Sequence, residues 1–593
     1  MKSAFLTRRV WSVCLVLPLL GGCSCWEGRD VRSQSPDEPE GKRVAKNMVA
    51  DLAVPFGMFP VQVEAVGLVT GLGGTGSDPA PSPQRAVLLG EMQARGVPNP
   101  NTVLASRDTA LVLIRGVIRP GIQRGDRFDL EVRIPSNSET TSLRGGYLLE
   151  ARLKEMAVLN HQIHEGHVLA LAKGPLMVDP SAKANEDRVL LGRARVLGGG
   201  VALKSRPLGL VLKPGHQNVF NASRVADAIN KRFHSFEKGV KVGVAKAKTD
   251  EYIELQIHPR YAENIGRYVR VVRSVALRES ATQRMQRLAD LQRRLLDPVA
   301  AAEAALELEA IGPQGVEPLF EGLRGSDPES RFYAAEALAY LDRREAAEVL
   351  ANAARQQPAF RVFALTALST MDDYAAYEQL QDLLSESSAE TRYGAFRALW
   401  AMNYGGAGLG GETLGDEFSY HVLDVGGPPM IHITRNRRPE IVLFGQGQRL
   451  LTPFWVNAGH EIMVKGSGPE EVSVARYVPG QPDQKQTVSA NVDDVIRAIV
   501  ELGGSYPDVV QALQEAKAAN ALASRFEVDA LPEAGRAYHR DAQEDAPGEA
   551  VVQSPDRPAP GLFASLKRMF PTAAGSGSGS PESKEEPKSE ESE

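Results

Sequence analysis

From about residue 45 to 280, apolar residues arrive in short β-branched runs closed off by Gly or Pro. The runs VQVEAVGLVT (61–70), TALVLIRGVI (109–118) and RFDLEVRIP (127–135) predict strands. In the last of them Phe128, Leu130, Val132 and Ile134 alternate onto one face. Helical runs interrupt at 85–95 and 222–233. Near residue 281 the spacing changes to 3.6 residues and the text becomes rich in Ala, Leu, Glu and Arg up to about 403. After the glycine-rich break YGGAGLGGETLG (404–415) strand text returns over 440–466, and two helical runs follow over 492–522.

The helical stretch repeats itself. Segments 327–338, 357–368 and 388–399 each carry Arg, then Ala three on, then Ala-Leu: Arg331/Ala334/Ala337/Leu338, Arg361/Ala364/Ala367/Leu368 and Arg392/Ala395/Ala398/Leu399. A period near 30 in all-helical text predicts stacked helix pairs. Small residues at Ala334, Ala364 and Ala395 let helices approach, and Leu338, Leu368 and Leu399 fill the core between them. The pattern is similar to short HEAT repeats.

Both ends read differently. Arg8 and Arg9 precede the apolar run Val10–Leu20, 11 residues long, where a bilayer span needs about 20. Residues 1–22 are therefore expected to be an export signal. Leu20-Gly21-Gly22-Cys23 resembles a bacterial lipobox, which would make Cys23 an acylated N-terminus and place the protein at the outer membrane. Residues 23–44 then form a flexible tether. Residues 534–593, rich in Pro, Gly, Ser, Glu and Lys, are expected to be a disordered acidic tail. Within it GLFASLKRMF (561–570) is an amphipathic island, read as a transient helix.

Length and charge sharpen this picture. A chain of 593 residues should divide into several domains of about 100–200 residues. Loss of Lys2, Arg8 and Arg9 with the signal takes the net charge from −6 to −9, so the electrostatic footprint for nucleic acid is lacking. Of three cysteines, Cys14 leaves with the signal and Cys23 takes the lipid, so no disulfide framework is available.

Candidate chemistry is sparse. Gly71, Gly73 and Gly76 satisfy the dinucleotide fingerprint after a strand, but that fingerprint needs a helix to open at its third glycine. Pro79, Pro81 and Pro83 push the residues before them out of the helical region. His161, His164 and His167 would converge on a metal only on a helix, whereas Glu165-Gly166 reads as a turn between strands. No catalytic, cofactor or metal site is expected.

Several ordered blocks resemble the flagellar P-ring protein family. They are the glycine loop Gly71-Leu72-Gly73-Gly74-Thr75-Gly76, the stretch 119–153 with Ser142-Leu143-Arg144-Gly145-Gly146, and the segments 166–178, 219–233 and 252–277. Two more, 439–466 and 492–531, return after the repeats. The resemblance covers roughly 60% of the chain. It implies a homo-oligomeric periplasmic ring that acts as a bushing around the flagellar rod, in contact with L-ring proteins and peptidoglycan. It also implies that Gly71, Gly73, Gly74, Gly76, Arg144, Gly145 and Gly146 are turn geometry and not ligand sites.

The expected fold is thus α+β and multi-domain: β-rich ring-forming modules at 45–280 and 404–533, interrupted by an all-α HEAT-like solenoid at 281–403. The lipobox, the repeats and the tail depart from the family. They support a competing reading, a periplasmic lipoprotein adaptor whose repeats bind another protein. The repeats are expected to contact mainly one another and to fold alone.

Overall fold

The computed structural model describes residues 30–32, 47–159, 162–182, 187–237, 239–402, 409–468 and 470–540. The signal, Cys23, His161 and the tail beyond residue 540 lie outside them.

The strand text closes on itself. Arg127–Arg133, Ala110–Ile118, Val61–Thr70, Tyr147–Leu159, Gln162–Pro175 and Arg193–Ala202 pair in that order, and Arg127–Arg133 pairs back onto Arg193–Ala202. The result is a barrel whose alternating inward residues (Val63, Val112, Leu130, Leu153, Ala172, Val196) form one core. Phe128 fills the interior because Gly116 and Gly200 face it. A Cβ on either glycine would stand 2.7 Å from its ring. Ile134 lies just past the strand and packs partly buried on the same core.

The hairpin turn lies elsewhere than expected. Leu159 pairs with Gln162, so the chain reverses before Glu165-Gly166, which belongs to the second strand. The register shifts there: Lys154 faces Val168 and Met156 faces Glu165. Glycine inside a strand marks such a bulge as readily as a turn.

A second module pairs Ala53–Phe56, Leu208–Leu212, Tyr252–Leu255 and Ala245–Ala247 in one sheet, backed by helices Val219–Arg232 and Ile265–Arg273. Eight α-helices follow. Ala301–Ile311, Pro328–Tyr340, Arg361–Ser369 and Ala389–Ala401 stack as an inner row. Ala281–Leu295, Val316–Leu323, Ala346–Gln356 and Tyr374–Leu383 lie outside it. Local chemistry starts them: Asp327, Asp373 and Ser388 each accept a backbone N–H of the first turn.

The C-terminal part contains a five-stranded sheet, a four-stranded antiparallel sheet and helices Val492–Glu501 and Tyr506–Ala518. The α+β class, with an all-helical array between β-rich modules, is the observed fold.

The array is not a separate body, however. A single buried cluster runs from Val49 and Leu210 through Tyr261 and Tyr268, along the repeats, to Met430, Phe444 and Tyr538. The repeats contact mainly one another, as expected, but the buried cluster continues from the array into the modules on either side, so they do not stand apart from them. Two end segments also depart from expectation. Asp30–Arg32, within the presumed tether, pairs antiparallel with Ala537–His539, within the presumed tail.

Candidate functional site

The glycine loop and the Arg144-Gly145-Gly146 turn come together at one end of the barrel. Gly71, Gly73, Gly74 and Gly145 have φ of +77°, +55°, +90° and +73°, a region that favours glycine. Most of the loop's donors are already used. Leu72 N–H reaches Asp108 O at 3.2 Å and Gly76 N–H reaches Arg107 O at 2.7 Å. Gly74 N–H reaches the Asp108 carboxylate at 3.0 Å. The Thr75 hydroxyl ties the loop to Ser142 O at 2.7 Å. A Cβ on Gly76 would lie 2.1 Å from Thr109 O, and one on Gly146 would lie 2.6 Å from Val69. The next helix, Pro83–Ala94, opens seven residues after Gly76, with Ser82 as cap and Pro83 in its first position. Proline is tolerated there because that N–H has no intrahelical partner. No helix opens at Gly76 to turn its N–H groups towards a pyrophosphate, as the dinucleotide fingerprint requires.

This turn also joins modules. The His460 ring bonds Arg144 O at 3.1 Å, and the Arg144 guanidinium donates to Ala182 O at 2.9 Å. Nearby, the loop 434–438 wedges against the barrel. Asp129 accepts the N–H of Gly198 at 2.9 Å and that of Arg437. Asp529 accepts Arg435 N–H and Asn436 Nδ2, both at 2.7 Å. Burial raises both carboxyl pKa values, opposed by these bonds.

The repeat residues form a different place. Ala334, Leu338, Ala364, Leu368, Ala395 and Leu399 are all 0% exposed in the shared cluster. The recurrent arginine, noted only for its spacing, reaches back to the end of the preceding outer helix. Arg361 Nε donates to Ala354 O at 2.9 Å and Arg392 Nε to Leu384 O at 2.7 Å. A cation satisfying the last carbonyls of a helix also meets the negative end of its dipole.

Three clusters carry no local sequence signal. Fully buried Arg267 donates to Glu309 at 2.5 and 3.0 Å and pairs with Glu336 at 2.7 Å. Tyr261 donates to the same Glu309 at 2.5 Å and stacks on Tyr340. Burial opposes the Arg267 charge, but the two carboxylates outweigh it and its pKa is raised. At the far end Glu440, 1% exposed, accepts Tyr393 OH at 2.6 Å and pairs with Arg397 at 2.9 Å. On the inner row, Glu390 holds Arg361 at 2.9 Å and Arg536 at 2.5 Å. Each cluster joins the array to a neighbouring module. Among the described residues, no group of three or more His, Cys, Asp or Glu could hold a metal.

These groups define a class of protein: a cohesive α+β assembly in which polar side chains fasten modules and turn the chain. Comparison with known proteins is specific. Residues 48–286 match the flagellar P-ring protein family, and residues 316–400 match HEAT repeats. The flagellar P-ring protein of Nitrosospira multiformis is 29% identical over 236 residues, 38% of this chain and 58% of the relative. That of Methylobacillus flagellatus is 31% identical over 193 residues, 31% of this chain and 51% of the relative. That of Thermotoga maritima is 28% identical over 251 residues, 40% of this chain and 69% of the relative. The chain thus spans about half to two thirds of the relatives it matches. The likeness to flagellar P-ring proteins holds across the barrel and the second module, a narrower share than the block comparison implied.

Proposed function

We propose that the protein is a non-enzymatic structural subunit of the bacterial flagellar basal body, building a periplasmic P ring that serves as a bushing around the rod. The observation that carries this reading is the family match over 48–286, which coincides with the barrel and its adjoining sheet. The internal use of the glycine-loop donors supports a mechanical role over a ligand site. Rod and L-ring proteins and peptidoglycan are the partners of this reading, and an acylated Cys23 would hold the subunit at the outer membrane. The segments 439–466 and 492–531 would supply the closing portion of the ring module. The adaptor reading draws on the HEAT match together with the lipobox and the tail, and is weakened by contacts such as Arg536 with Glu390 that already occupy the inner row.

Electron microscopy of the purified protein tests the ring, and mass spectrometry of its N-terminal peptide tests the anchor. Closed rings are expected, with diacylglycerol mass on Cys23. Monomers at every concentration would overturn the ring, and an unmodified Cys23 would overturn the anchor.

A further inference from the structure

HEAT-like arrays present an inner row of helices as a continuous surface. Here that surface is occupied. After the strand Arg525–Val528 the chain crosses the array as an extended segment, and three of its residues are inserted while those between face solvent. Pro532 sits against Gly394: a Cβ on that glycine would be 3.0 Å from the Pro532 ring and 2.5 Å from Leu365 of the preceding repeat, so the glycine leaves room for both. Arg536 donates both terminal nitrogens to Glu390, at 2.5 and 2.7 Å. Tyr538, 5% exposed, lays its ring 4.7 Å from that of Phe360. Glu533, Ala534 and Gly535 are exposed, and Gly535 turns the chain with φ +89°.

The array side is fitted to this segment. Two residues after the recurrent arginine the first two repeats carry Tyr333 and Phe363, but the third carries Gly394. A ring there would fill the place where Pro532 lies. Glu390 is shared between Arg361 of the preceding repeat and the visiting Arg536, and the latter is a bidentate carboxylate–guanidinium contact that reads geometry as well as charge. Phe360 is itself stacked 4.2 Å from Phe332, so the ring that receives Tyr538 is fixed before the contact forms.

We propose that the inner row of the array is a peptide-binding groove, read through Gly394, Glu390 and Phe360, whose resident ligand is this chain's own segment 532–538. Its ligand class is an extended peptide bearing proline, then arginine four residues on, then an aromatic ring two further. The groove is closed to other proteins while the segment lies in it. The inference does not depend on ring assembly.

The test uses the full chain and a fluorescent peptide of residues 529–540. A tethered segment competes at millimolar effective concentration, so the wild type should bind the peptide poorly. The variant Arg536→Ala/Tyr538→Ala empties the groove and should bind it at least about tenfold more tightly. Adding Glu390→Gln should remove that gain, and a peptide with alanine at both positions should bind neither protein. Equal binding to wild type and double variant, or no binding to a folded double variant, overturns the proposal. Should the double variant not fold, wild type with millimolar peptide is followed by hydrogen exchange. Faster exchange at the amides of 536–538 is expected, and unchanged exchange overturns the groove.

Discussion

His432 is 0% exposed and stacks 3.6 Å above the Tyr393 ring. Its Nε2 accepts Ala530 N–H at 3.0 Å, so the neutral ring carries its proton on Nδ1. Protonating Nε2 would set a donor against a donor in a dry site. Burial accordingly holds the pKa at about 3, down from 6.5. Between those values the unfolded chain binds the extra proton and the folded chain does not. The stability this residue contributes is therefore complete above pH 6.5 and is lost as pH falls towards 3, by up to about 1.4 kcal/mol per unit. His258 and His421, also lowered by burial, act in the same direction. Glu336 runs the other way. Burial raises its pKa above 4.5, so its contribution is complete below 4.5 and falls as pH rises through the raised value. Urea midpoints at pH 7 and pH 5 should separate the two: His432→Gln keeps an acceptor and should flatten the loss on acidification. An unchanged slope would mean His432 is not the group that titrates.

At the scale of elements, the repeat arginine has a cost that can be measured. Arg392 is 2% exposed and donates to Leu384 O, Pro428 O and Gly426 O at 2.7, 2.5 and 3.1 Å. Burial, then the nearby Arg525 charge, lowers its pKa to about 10, so its charge is held by carbonyls over the Phe444 ring. Arg392→Met strands those carbonyls, and an unsatisfied buried group costs about 1–3 kcal/mol. A loss of about 3–5 kcal/mol in chemical denaturation is expected, against about 0.5 or less for Arg324→Met on the surface. A loss no larger than that of the surface variant would show the cap to be incidental. What was legible in the sequence follows the same division. Strand 61–70 matches the observed bounds because β-branched alternation is a local signal. The repeats were legible because the same residues recur. The barrel's closing pair and the partners of Arg267 were not, since both are contacts between distant residues. In the helix Ile265–Arg273 nothing in the spacing of three arginines marks Arg267 as the fully buried one. Gly394 gains its meaning only beside Leu365 and Pro532, both of which a Cβ there would crowd.

For the whole molecule, the decisive question is whether the array is an appendage. Loop closure presents no barrier to removing it, since the entropy changes by only about 0.6 kcal/mol per doubling of loop length. The difficulty lies in what its neighbours would lose. Without residues 281–415, Arg267 keeps its buried position beside Tyr261 and Tyr268 but loses Glu309 and Glu336. Glu440, 1% exposed, loses both Tyr393 and Arg397. Removing one side of a buried pair costs about 3–5 kcal/mol, and a domain's total stability is only about 5–15 kcal/mol. Two such losses, with Met430 and Phe444 uncovered, should exhaust it. Replacing 281–415 by a short Gly/Ser linker is therefore expected to give aggregated protein or a broad, non-cooperative thermal transition by circular dichroism. The excised 281–403 should be helical but loosely packed, because the inner-row faces of Phe332, Phe360 and Phe396 would meet water. A soluble deletion variant with a sharp transition near that of the parent would return the array to the status of an independent insert. The expected failure would instead make the repeats a clamp that joins the barrel side of the chain to its C-terminal sheets.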